Sequence, residues 1–380
     1  MTNIAEALSE DAEVHVLCGP LGYGELQSSS KGLPGITFHR LNAFNFDKNN
    51  IINRLLRLLF LSMGMFFYGL FKINKKDSVF LVTNPALSIP LFSLLKKVKK
   101  FNYSILVHDV FPENLIPANI IRSKSNLIYM GLKSVFNWSY RKADKLIVLG
   151  RDMADIMSGK TKNKTEISII ENWADLENIQ VSTFEENDLI EELGLRDKIV
   201  FLFAGNLGRL QGLSYLMELI KEVDNNLLHF VFVGNGALLE KLNDFAKTEE
   251  LNNVTFLGSL PRSKQNVFLN ACHFGIVTLE QEVYGLGVPS KTYNILASGR
   301  PVFFIGNKKS EVAQMINEFK CGVCFDKDER AETINFLNTL NERNLQVFRL
   351  MGLQARSVAE GNYAKEAILN KFKKIMLNEV

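Results

Sequence analysis

The sequence predicts an α/β protein with two parallel-sheet domains, and three observations predict it. Short, continuous apolar runs that suit buried parallel strands alternate with segments of helical apolar spacing. The same alternation occurs in both halves of the chain, which a polar and acidic stretch separates. The chain has 380 residues, too many for one compact core. The expected division is an N-terminal domain over 1–171, a linker over 172–196 and a C-terminal domain over 197–361.

The first half supplies four predicted strands, at 13–18 (EVHVLC), 79–83 (VFLVT), 105–108 and 145–149 (KLIVL), with helices near 51–72, 86–99 and 124–142. A doubly wound domain normally begins with a strand that ends in a glycine-rich turn. Here Met1 opens directly into a helix-like segment (TNIAEALSE). The sequence therefore predicts that the first, central strand is missing, through a missed upstream start or a truncation. The alternative is a rearranged sheet that needs no such strand.

The second half repeats the plan. Apolar runs predict strands at 199–204, 230–233, 254–257, 275–279, 301–305 and 322–325. Apolar residues at helical spacing predict helices over 213–223 and 237–247. We expect a second doubly wound sheet here.

Composition narrows the class of protein. Hydrophobic residues make up 47% and charged residues 22%, which excludes a disordered or collagen-like chain. Four cysteines fit a reducing compartment rather than a disulfide scaffold. No signal peptide opens the chain, so a cytoplasmic protein is expected.

Charge is unevenly distributed. Residues 1–150 hold 18 Lys and Arg against 10 Asp and Glu, a net +8, so the remaining residues carry −5 of the total +3. An anionic ligand or surface is therefore expected on the first half. A nucleic-acid partner is not expected, because no binding motif or basic–aromatic platform accompanies the charge.

The sharpest motif is 203–212 (FAGNLGRLQG), which follows an apolar strand and precedes a helix. Its glycines let the backbone approach a ligand closely, and the helix start offers free N–H groups, so it predicts a phosphate cradle. Arg209 adds a fixed charge suited to a pyrophosphate. The spacing differs from G-x-G-x-x-G, which argues against NAD. The alternative is a glycine-rich turn that serves only packing.

The second motif is 288–302 (VPSKTYNILASGRPV). Pro289 and Ser290 suit a helix start, with the Ser290 hydroxyl as a cap. Lys291 then falls in the first turn, where a cation is unfavourable unless an anionic ligand lies at the same end. Asn294 lies one turn further along the same face. The alternative is a buried packing helix with a stray lysine.

These two motifs, with 170–175 (IENWAD) between them, resemble family-4 glycosyltransferases of the GT-B fold. The similarity is greatest to bacterial enzymes that build capsule, O-antigen and other surface polysaccharides. It extends over nearly the whole chain through 108–113 (HDVFPE), 232–236 (FVGNG), 256–258 (FLG) and 299–301 (GRP). The resemblance implies two Rossmann-like domains facing a cleft, with a nucleotide-sugar on the C-terminal domain and the acceptor on the other. It also implies that 362–380 crosses back onto the first domain, that anomeric configuration is retained, and that no metal or cofactor is needed.

The sequence departs from the family pattern at the donor site. Asn206 stands where an arginine is common, and Gln211 where a lysine is common. Asn294 occupies the column of the glutamate that usually holds the ribose, and the other glutamate of the pair falls at Leu286. An amide still hydrogen-bonds hydroxyls, though less strongly than a carboxylate. Lys291 becomes the expected phosphate charge, as in a known branch whose helix starts Pro-Ser-Lys.

The acceptor side is predicted just after a strand end, where ligands of open α/β sheets bind. A carboxylate at this position can orient or deprotonate an acceptor hydroxyl. The expected catalytic residues are Arg209, Lys291 and Asp109, and the expected acceptor-side residues are His108 and Glu113. The expected donor-binding residues are Gly205, Asn206, Gly208, Gln211, Gly212, Pro289, Ser290 and Asn294.

A very apolar segment lies within 54–76. Between Arg57 and Lys72, 14 residues carry no charge; about 18 to 20 are needed to span a bilayer. Basic residues flank the segment, and a second basic cluster occupies 96–100. Both features fit an interfacial helix at the inner face of the cytoplasmic membrane, close to a lipid-linked sugar. The alternative is a core helix packed on the sheet, and the two interpretations are compatible.

Metal-like patterns are weak. Cys321 and Cys324 have ligand spacing, but no further pair of cysteines or histidines completes the four ligands of structural zinc. Asp326 and Asp328 form an Asp-x-Asp pattern among other charged residues, which indicates a solvated loop. No metal site is expected.

The sequence thus predicts a retaining, metal-independent glycosyltransferase of the hexosyltransferase type. Its donor is expected to be a nucleotide diphosphate sugar, with UDP implied by the resemblance, and its acceptor a lipid-linked or growing surface polysaccharide. One alternative is a non-hydrolysing nucleotide-sugar epimerase, which would leave the basic, apolar N-terminal surface unexplained. The other is a catalytically inactive GT-B subunit of a polysaccharide assembly complex, suggested by the missing strand and the changed donor residues.

Overall fold

The structure is a computed structural model that describes residues 1–20, 34–41 and 51–377, without the side chains at 51, 52, 54 and 55. Within these residues all strand pairs of the three sheets are parallel, with two and four strands in the N-terminal half and six in the C-terminal half. The predicted α/β class with parallel sheets is confirmed. The side chain of Arg54, in the predicted membrane segment, and residues 378–380, in the predicted crossing segment, lie outside the described part of the chain.

The N-terminal half contains every strand and helix that the sequence predicted, with ends shifted by a few residues. Its strands are β1 (Val14–Cys18), β2 (Ile36–Arg40), β3 (Ser78–Val82), β4 (Asn102–Val107), β5 (Lys145–Val148) and β6 (Glu166–Ile169). Its helices are α1 (Thr2–Ser9), α2 (Ile51–Lys72), α3 (Ser88–Lys99), α4 (Leu127–Tyr140) and α5 (Arg151–Thr161). The sequence did not predict β2, β6 or α5. The short β2 and β6 carry polar residues between apolar ones, so neither reads as a continuous apolar run.

The N-terminal strands form two sheets. Among the described strands, β1 pairs with β2, whereas β3, β4, β5 and β6 pair in chain order. Helix α1 packs on β1 and β2. The absence of a first, central strand stays a prediction.

The C-terminal half forms one six-stranded sheet. Its strands are β7 (Ile199–Ala204), β8 (Leu228–Val233), β9 (Val254–Gly258), β10 (Phe274–Thr278), β11 (Val302–Ile305) and β12 (Gly322–Phe325), in the order β12-β11-β10-β7-β8-β9. The order reverses between β7 and β10, which is the switch point where open α/β sheets bind ligands. The loop after β7 contains most of the first predicted donor motif, and the loop after β10 leads into α10, which lies within the second.

Helices cover this sheet and continue to the end of the chain. They are α6 (Asp188–Glu192), α7 (Leu213–Glu222), α8 (Leu239–Thr248), α9 (Gln265–Asn270), α10 (Lys291–Ala297), α11 (Glu311–Phe319), α12 (Arg330–Thr339), α13 (Glu342–Asn362) and α14 (Lys365–Leu377).

Phenylalanine rings fix the strands at the switch point. The ring of Phe201 on β7 stacks on Phe274 of β10 at 4.6 Å and on Phe230 of β8 at 5.3 Å. All three rings are fully buried, and each contributes about 2 kcal/mol of hydrophobic stabilisation. These contacts pack β7, β8 and β10 together at the switch point.

The segment 172–196 and the last helix tie the two halves together. Ile179, Phe184 and Ile190 are buried in the core of the C-terminal half, so this acidic segment is anchored by its apolar residues. Ile368 and Phe372 of α14 are buried in the N-terminal core instead. The chain thus returns to its first half at the end.

Candidate functional site

Two glycine loops meet at the carboxyl ends of β7 and β8. The Gly205 amide donates to the Val233 carbonyl at 2.8 Å, and the Leu207 amide to the Asn235 carbonyl at 2.9 Å. Gly234 has φ +143, and a Cβ atom there would overlap the carbonyl oxygen of Gly205. Only glycine permits this backbone-on-backbone contact. The loop after β8 therefore packs directly against the predicted phosphate loop and supports its backbone.

A cavity of about 430 Å³ opens beside these loops. Five predicted donor-site residues are on its lining: Gly205, Asn206, Ser290, Lys291 and Asn294. The same lining includes Ser259, Leu260 and Phe268, which the motifs did not indicate. The other predicted residues, which are not on the lining, are Gly208, Arg209, Gln211, Gly212 and Pro289. The structure thus brings both motifs to one concave site.

Lys291 lies at the centre of this arrangement. Its Nζ donates to Gln211 Oε1 at 2.8 Å and lies 3.5 Å from the centroid of the Phe203 ring. Among the described residues, no carboxylate forms an ion pair with it. Because the ammonium is desolvated, the pKa of Lys291 is lowered to about 7. A poorly compensated cation in a cavity is suited to an anionic ligand.

The start of α10 differs in one detail from the sequence prediction. The Ser290 hydroxyl makes no capping hydrogen bond, because the backbone of Ser290 is already helical (φ −61, ψ −23) whereas a capping residue is extended. Asn294 faces the cavity one turn later. Its Oδ1 accepts a 3.4 Å hydrogen bond from the Asp175 amide, which leaves its NH₂ group for a ligand.

Arg209 is exposed, in a short 3₁₀ turn that precedes α7. In the described part of the chain its side chain makes no hydrogen bond or ion pair. The neighbouring Leu210 packs against the N-terminal core, so this turn lies where the two halves meet. Gln211 and Gly212 follow, and the Gln211 carbonyl accepts from the Thr278 hydroxyl.

The acceptor-side residues follow β4. The backbone amides of His108 and Asp109 donate to the Thr83 hydroxyl at 3.1 and 3.3 Å. Burial lowers the pKa of His108 and raises the pKa of Asp109. A Cβ on Gly287 of the donor-side loop would lie 3.7 Å from Asp109 Oδ1. Asp109 therefore lies against the opposite half of the protein, and Thr83 is a supporting residue that the sequence did not reveal.

Glu113 is paired with a residue that no motif indicated. Both oxygens of its carboxylate accept from Lys160 Nζ, at 2.6 and 2.7 Å, and the Lys160 side chain is only 5% exposed. Burial lowers the pKa of Lys160 to about 8. This pair connects the acceptor loop to α5, so Glu113 holds the loop in place.

The cysteine and aspartate patterns with metal-like spacing are the remaining predicted features. Among the residues that the structure covers, no group of three or more His, Cys, Asp or Glu could hold a metal ion. Burial raises the pKa of Cys321 to about 12, and Asp326 Oδ1 accepts from Gln281 Nε2 at 2.6 Å.

The basic, apolar region forms one face of the N-terminal half, where α2 packs on α3 and α3 on α4. Met65 of α2 is buried, whereas Phe71 is 77% exposed, Val98 of α3 74% and Leu127 of α4 83%. In the predicted basic cluster Lys96 pairs with Asp144, whereas Lys97 and Lys100 are exposed. No helix in the described residues is long and apolar enough to cross a membrane.

The family pattern and the similar proteins that match this chain are all described as glycosyltransferases. Residues 185–345 match the family pattern described as "Glycosyl transferases group 1". The "Probable glycosyltransferase WbjE" of Pseudomonas aeruginosa is 33% identical over 326 residues, which are 86% of this chain and 80% of that protein. WcaI of Escherichia coli, whose name refers to colanic acid biosynthesis, is 25% identical over 60% of this chain and 56% of its own length.

A similar fold is found among solved structures. HepE of Anabaena, in a crystal structure with UDP, matches 99% of this chain and 94% of its own, with a TM-score of 0.73 and 15% identity. The predicted GT-B fold, with two Rossmann-like domains, is confirmed by such neighbours.

Proposed function

Since the chain belongs to the group 1 glycosyltransferases, we propose that it is a retaining, metal-independent, family-4-like hexosyltransferase. Its donor is a UDP-sugar, and its acceptor a lipid-linked or growing surface polysaccharide such as a capsule or an O-antigen. The observation that carries the proposal is the buried ammonium of Lys291 beside the glycine loops. The UDP bound to HepE supports the nucleotide, and the colanic acid in the name of WcaI supports the class of product.

The donor diphosphate is assigned to the cavity that Gly205 and Lys291 both line. The Lys291 ammonium stabilises the negative charge that grows on UDP as the sugar bond breaks, which is electrostatic catalysis. Arg209 is exposed, has no ion-pair partner among the described residues and is next to Leu210 at the junction of the two halves, so we assign it to the same phosphates. Asn294 offers its amide to the ribose hydroxyls.

The acceptor hydroxyl is assigned to Asp109. Its raised pKa strengthens it as a base, and Thr83 holds the backbone on which it stands. His108 presents a neutral imidazole at the same strand end because burial lowers its pKa. Glu113 is a positioning residue in this scheme, since Lys160 occupies its carboxylate.

The proposed site of action is the inner face of the cytoplasmic membrane. The helices α2, α3 and α4 carry exposed apolar side chains, and two of them, Phe71 and Val98, are next in sequence to the exposed Lys72 and Lys97. Apolar insertion combined with basic charge is the combination that holds a peripheral protein on anionic lipid. The acceptor loop follows β4 in this same half, so a lipid-linked acceptor would be close to Asp109.

The proposal is tested by titrating the whole protein with UDP and GDP by calorimetry in EDTA. We expect saturable UDP binding that Lys291→Ala weakens about tenfold to a hundredfold, as for the loss of a charged hydrogen bond. Lys241→Ala, an exposed lysine of α8, is the matched control and should bind normally. NMR of the product formed on a lipid-linked sugar reports the anomeric configuration.

The other outcomes separate the remaining functions. Binding of UDP-sugar with isomerisation of the sugar and no need for an acceptor would indicate an epimerase. Binding of UDP without turnover on any lipid-linked acceptor would indicate an inactive subunit of an assembly complex. Equal UDP binding by the wild type and Lys291→Ala would remove the role assigned to Lys291.

A further inference from the structure

Two helix starts from opposite halves of the protein contact each other where the halves meet. Helix α5 begins at Arg151 and α11 begins at Glu311. The Glu311 carboxylate accepts from the Arg151 backbone amide at 2.6 Å, from its Nε at 3.0 Å and from its Nη2 at 2.8 Å. The Glu311 side chain is only 7% exposed. Glu311 therefore caps a helix of the other domain and also forms a bidentate ion pair with Arg151, the first residue of that helix.

The capping is reciprocal. Asp152 Oδ2 accepts from the Glu311 backbone amide at 3.1 Å, and its Oδ1 accepts from the Met153 amide at 2.8 Å. At each helix start, a free backbone N–H group thus donates to a carboxylate from the opposite domain. The N-terminal end of a helix is also where a negative charge is favourable. Charge-assisted and bidentate hydrogen bonds are stronger than neutral ones. We call Arg151, Asp152 and Glu311 the interdomain latch.

The loop between β10 and α10 connects the latch to the cleft. Gly285 has φ +66, and a Cβ there would lie 2.7 Å from the Asp152 carbonyl oxygen, so the loop packs directly on the latch. The next residue, Leu286, accepts a 3.0 Å hydrogen bond from the Val110 amide. Gly287 then lies beside Asp109, and α10 with Lys291 follows. A change in the latch would therefore move the acceptor loop and the donor helix relative to each other.

Arg151 is the critical residue of the interdomain latch because it carries its positive charge. Its guanidinium donates to two carboxylates, that of Glu311 at 2.8 Å and that of Glu318 at 2.9 Å, while the Asp152 carboxylate accepts from the Glu311 backbone amide. Without the guanidinium, like charges would be left at a largely buried contact, and removing one partner of such a pair is strongly unfavourable. The two domains can relieve this repulsion by separating.

We propose that Arg151, Asp152 and Glu311 act as positioning residues that hold the cleft closed, with Asp109 of one domain against the donor loop of the other. The catalytic meaning of this closure rests on the proposed function, because the closure fixes the position of Asp109 relative to the loop that leads to Lys291. The closure itself is a property of the fold and can be measured without any substrate.

The test is small-angle X-ray scattering of the whole protein without ligand. Arg151→Ala and Glu311→Gln should both increase the radius of gyration, and Arg151→Lys, which keeps the charge but loses the fork, should lie between them and the wild type. The matched control is Arg349→Ala, since Arg349 pairs with Glu185 at the same 2.8 Å but both side chains are exposed. Circular dichroism confirms that each variant is folded. An unchanged radius of gyration in folded Arg151→Ala and Glu311→Gln would overturn the proposal.

Comparing UDP affinity with the rate of sugar transfer distinguishes an effect on the latch from an effect on the donor site. The latch residues do not touch the cavity beside Lys291, so latch variants should retain UDP affinity within about threefold while losing about a hundredfold in sugar transfer, as expected for misplaced reacting groups. A wild type that binds no UDP would refute the proposed function and leave the scattering result intact. Latch variants with normal transfer would refute the positioning role even if the cleft opened.

Discussion

Lys291 Nζ lies 2.8 Å from Gln211 Oε1, so the lysine of one donor motif is hydrogen-bonded to the glutamine of the other. The family resemblance implies a lysine at the position of Gln211. The ammonium of Lys291 is held by the side chain that stands there instead. We interpret this pairing as a coupled exchange, in which Lys291 supplies the cation beside the phosphate loop.

The pH dependence of UDP binding follows from the lowered pKa of Lys291, about 7. A bound diphosphate favours the charged ammonium and raises its pKa, so binding takes up a proton above pH 7. UDP affinity should therefore decrease up to about tenfold per pH unit from pH 7 to 9, where the phosphates are already ionised. Calorimetry in buffers of different ionisation enthalpy measures both quantities. A dissociation constant that stays flat over this range, with no proton uptake, would contradict the assignment.

Replacing Gln211 tests the coupled exchange directly. Gln211→Leu removes the oxygen that holds the ammonium and leaves Lys291 with the Phe203 ring as its remaining described partner. The pKa of Lys291 should fall further, and UDP binding at pH 7.5 should weaken about threefold to tenfold. Gln314→Leu, on α11 away from the cavity, is the control. Should Gln211→Leu bind UDP as tightly as the control, the hydrogen bond would have no role in the site.

Gly234→Ala should destabilise the C-terminal domain. A methyl group there would overlap the Gly205 carbonyl, and φ +143 disfavours any L side chain. We expect a loss of about 2–4 kcal/mol in the free energy of unfolding, measured by urea titration. Gly361→Ala in α13 is the matched control, because nothing lies within 4 Å of the added atom; helix propensity should make it stabilising by about 0.5–1 kcal/mol. Similar unfolding curves for both variants would show that the two glycine loops are not packed as described.

The sequence predicted most of the strands and both glycine-containing motifs because their signals are local. The run 199–204 is apolar throughout and ends at glycine, so both the buried strand β7 and its loop can be read from adjacent residues. The strand β2 was missed because its polar and apolar residues alternate, as they do in a half-exposed strand. The prediction that Ser290 caps α10 was wrong, because the residue type alone does not reveal that the Ser290 backbone is already helical.

The contacts between distant residues could not be predicted. Arg151 and Glu311 are 160 residues apart, and their contact depends on how two domains dock. Lys160 lies in a helix with no motif, so its pairing with Glu113 became visible only in three dimensions. The residues proposed to contact ligands thus carry local sequence signals, whereas the residues that hold their loops in position do not.

The pair of Lys160 and Glu113 should matter for stability more than any exposed pair. Lys160→Met leaves the Glu113 carboxylate, only 16% exposed, without its partner. We expect a loss of about 3 kcal/mol in the free energy of unfolding. Lys365→Met, which breaks the more exposed pair with Glu177, should cost less than about 1 kcal/mol. Adding Glu113→Gln to Lys160→Met should recover part of the loss; no recovery would mean that lost packing rather than the unpaired charge is responsible.

Membrane attachment is tested by the exposed apolar residues of the N-terminal face. The double variant Phe71→Ser with Leu127→Ser removes two side chains that are 77% and 83% exposed. Such side chains stabilise the folded protein little, but each adds about 1–3 kcal/mol when it enters the hydrocarbon of a bilayer. We therefore expect the wild type to co-sediment with vesicles that contain phosphatidylglycerol, and the double variant to lose at least about tenfold in affinity while unfolding at nearly the same urea concentration.

The control for this experiment lies on the other domain. Leu350 and Leu353 of α13 are 66% and 64% exposed, so Leu350→Ser with Leu353→Ser removes comparable apolar surface away from the basic face. Its vesicle binding should match that of the wild type. Because Lys72, Lys97 and Lys100 supply the electrostatic part, binding should also weaken with salt and on vesicles of neutral lipid. Equal losses in both double variants would indicate unspecific hydrophobic adsorption, and absence of wild-type binding to anionic vesicles would exclude this face as the membrane contact.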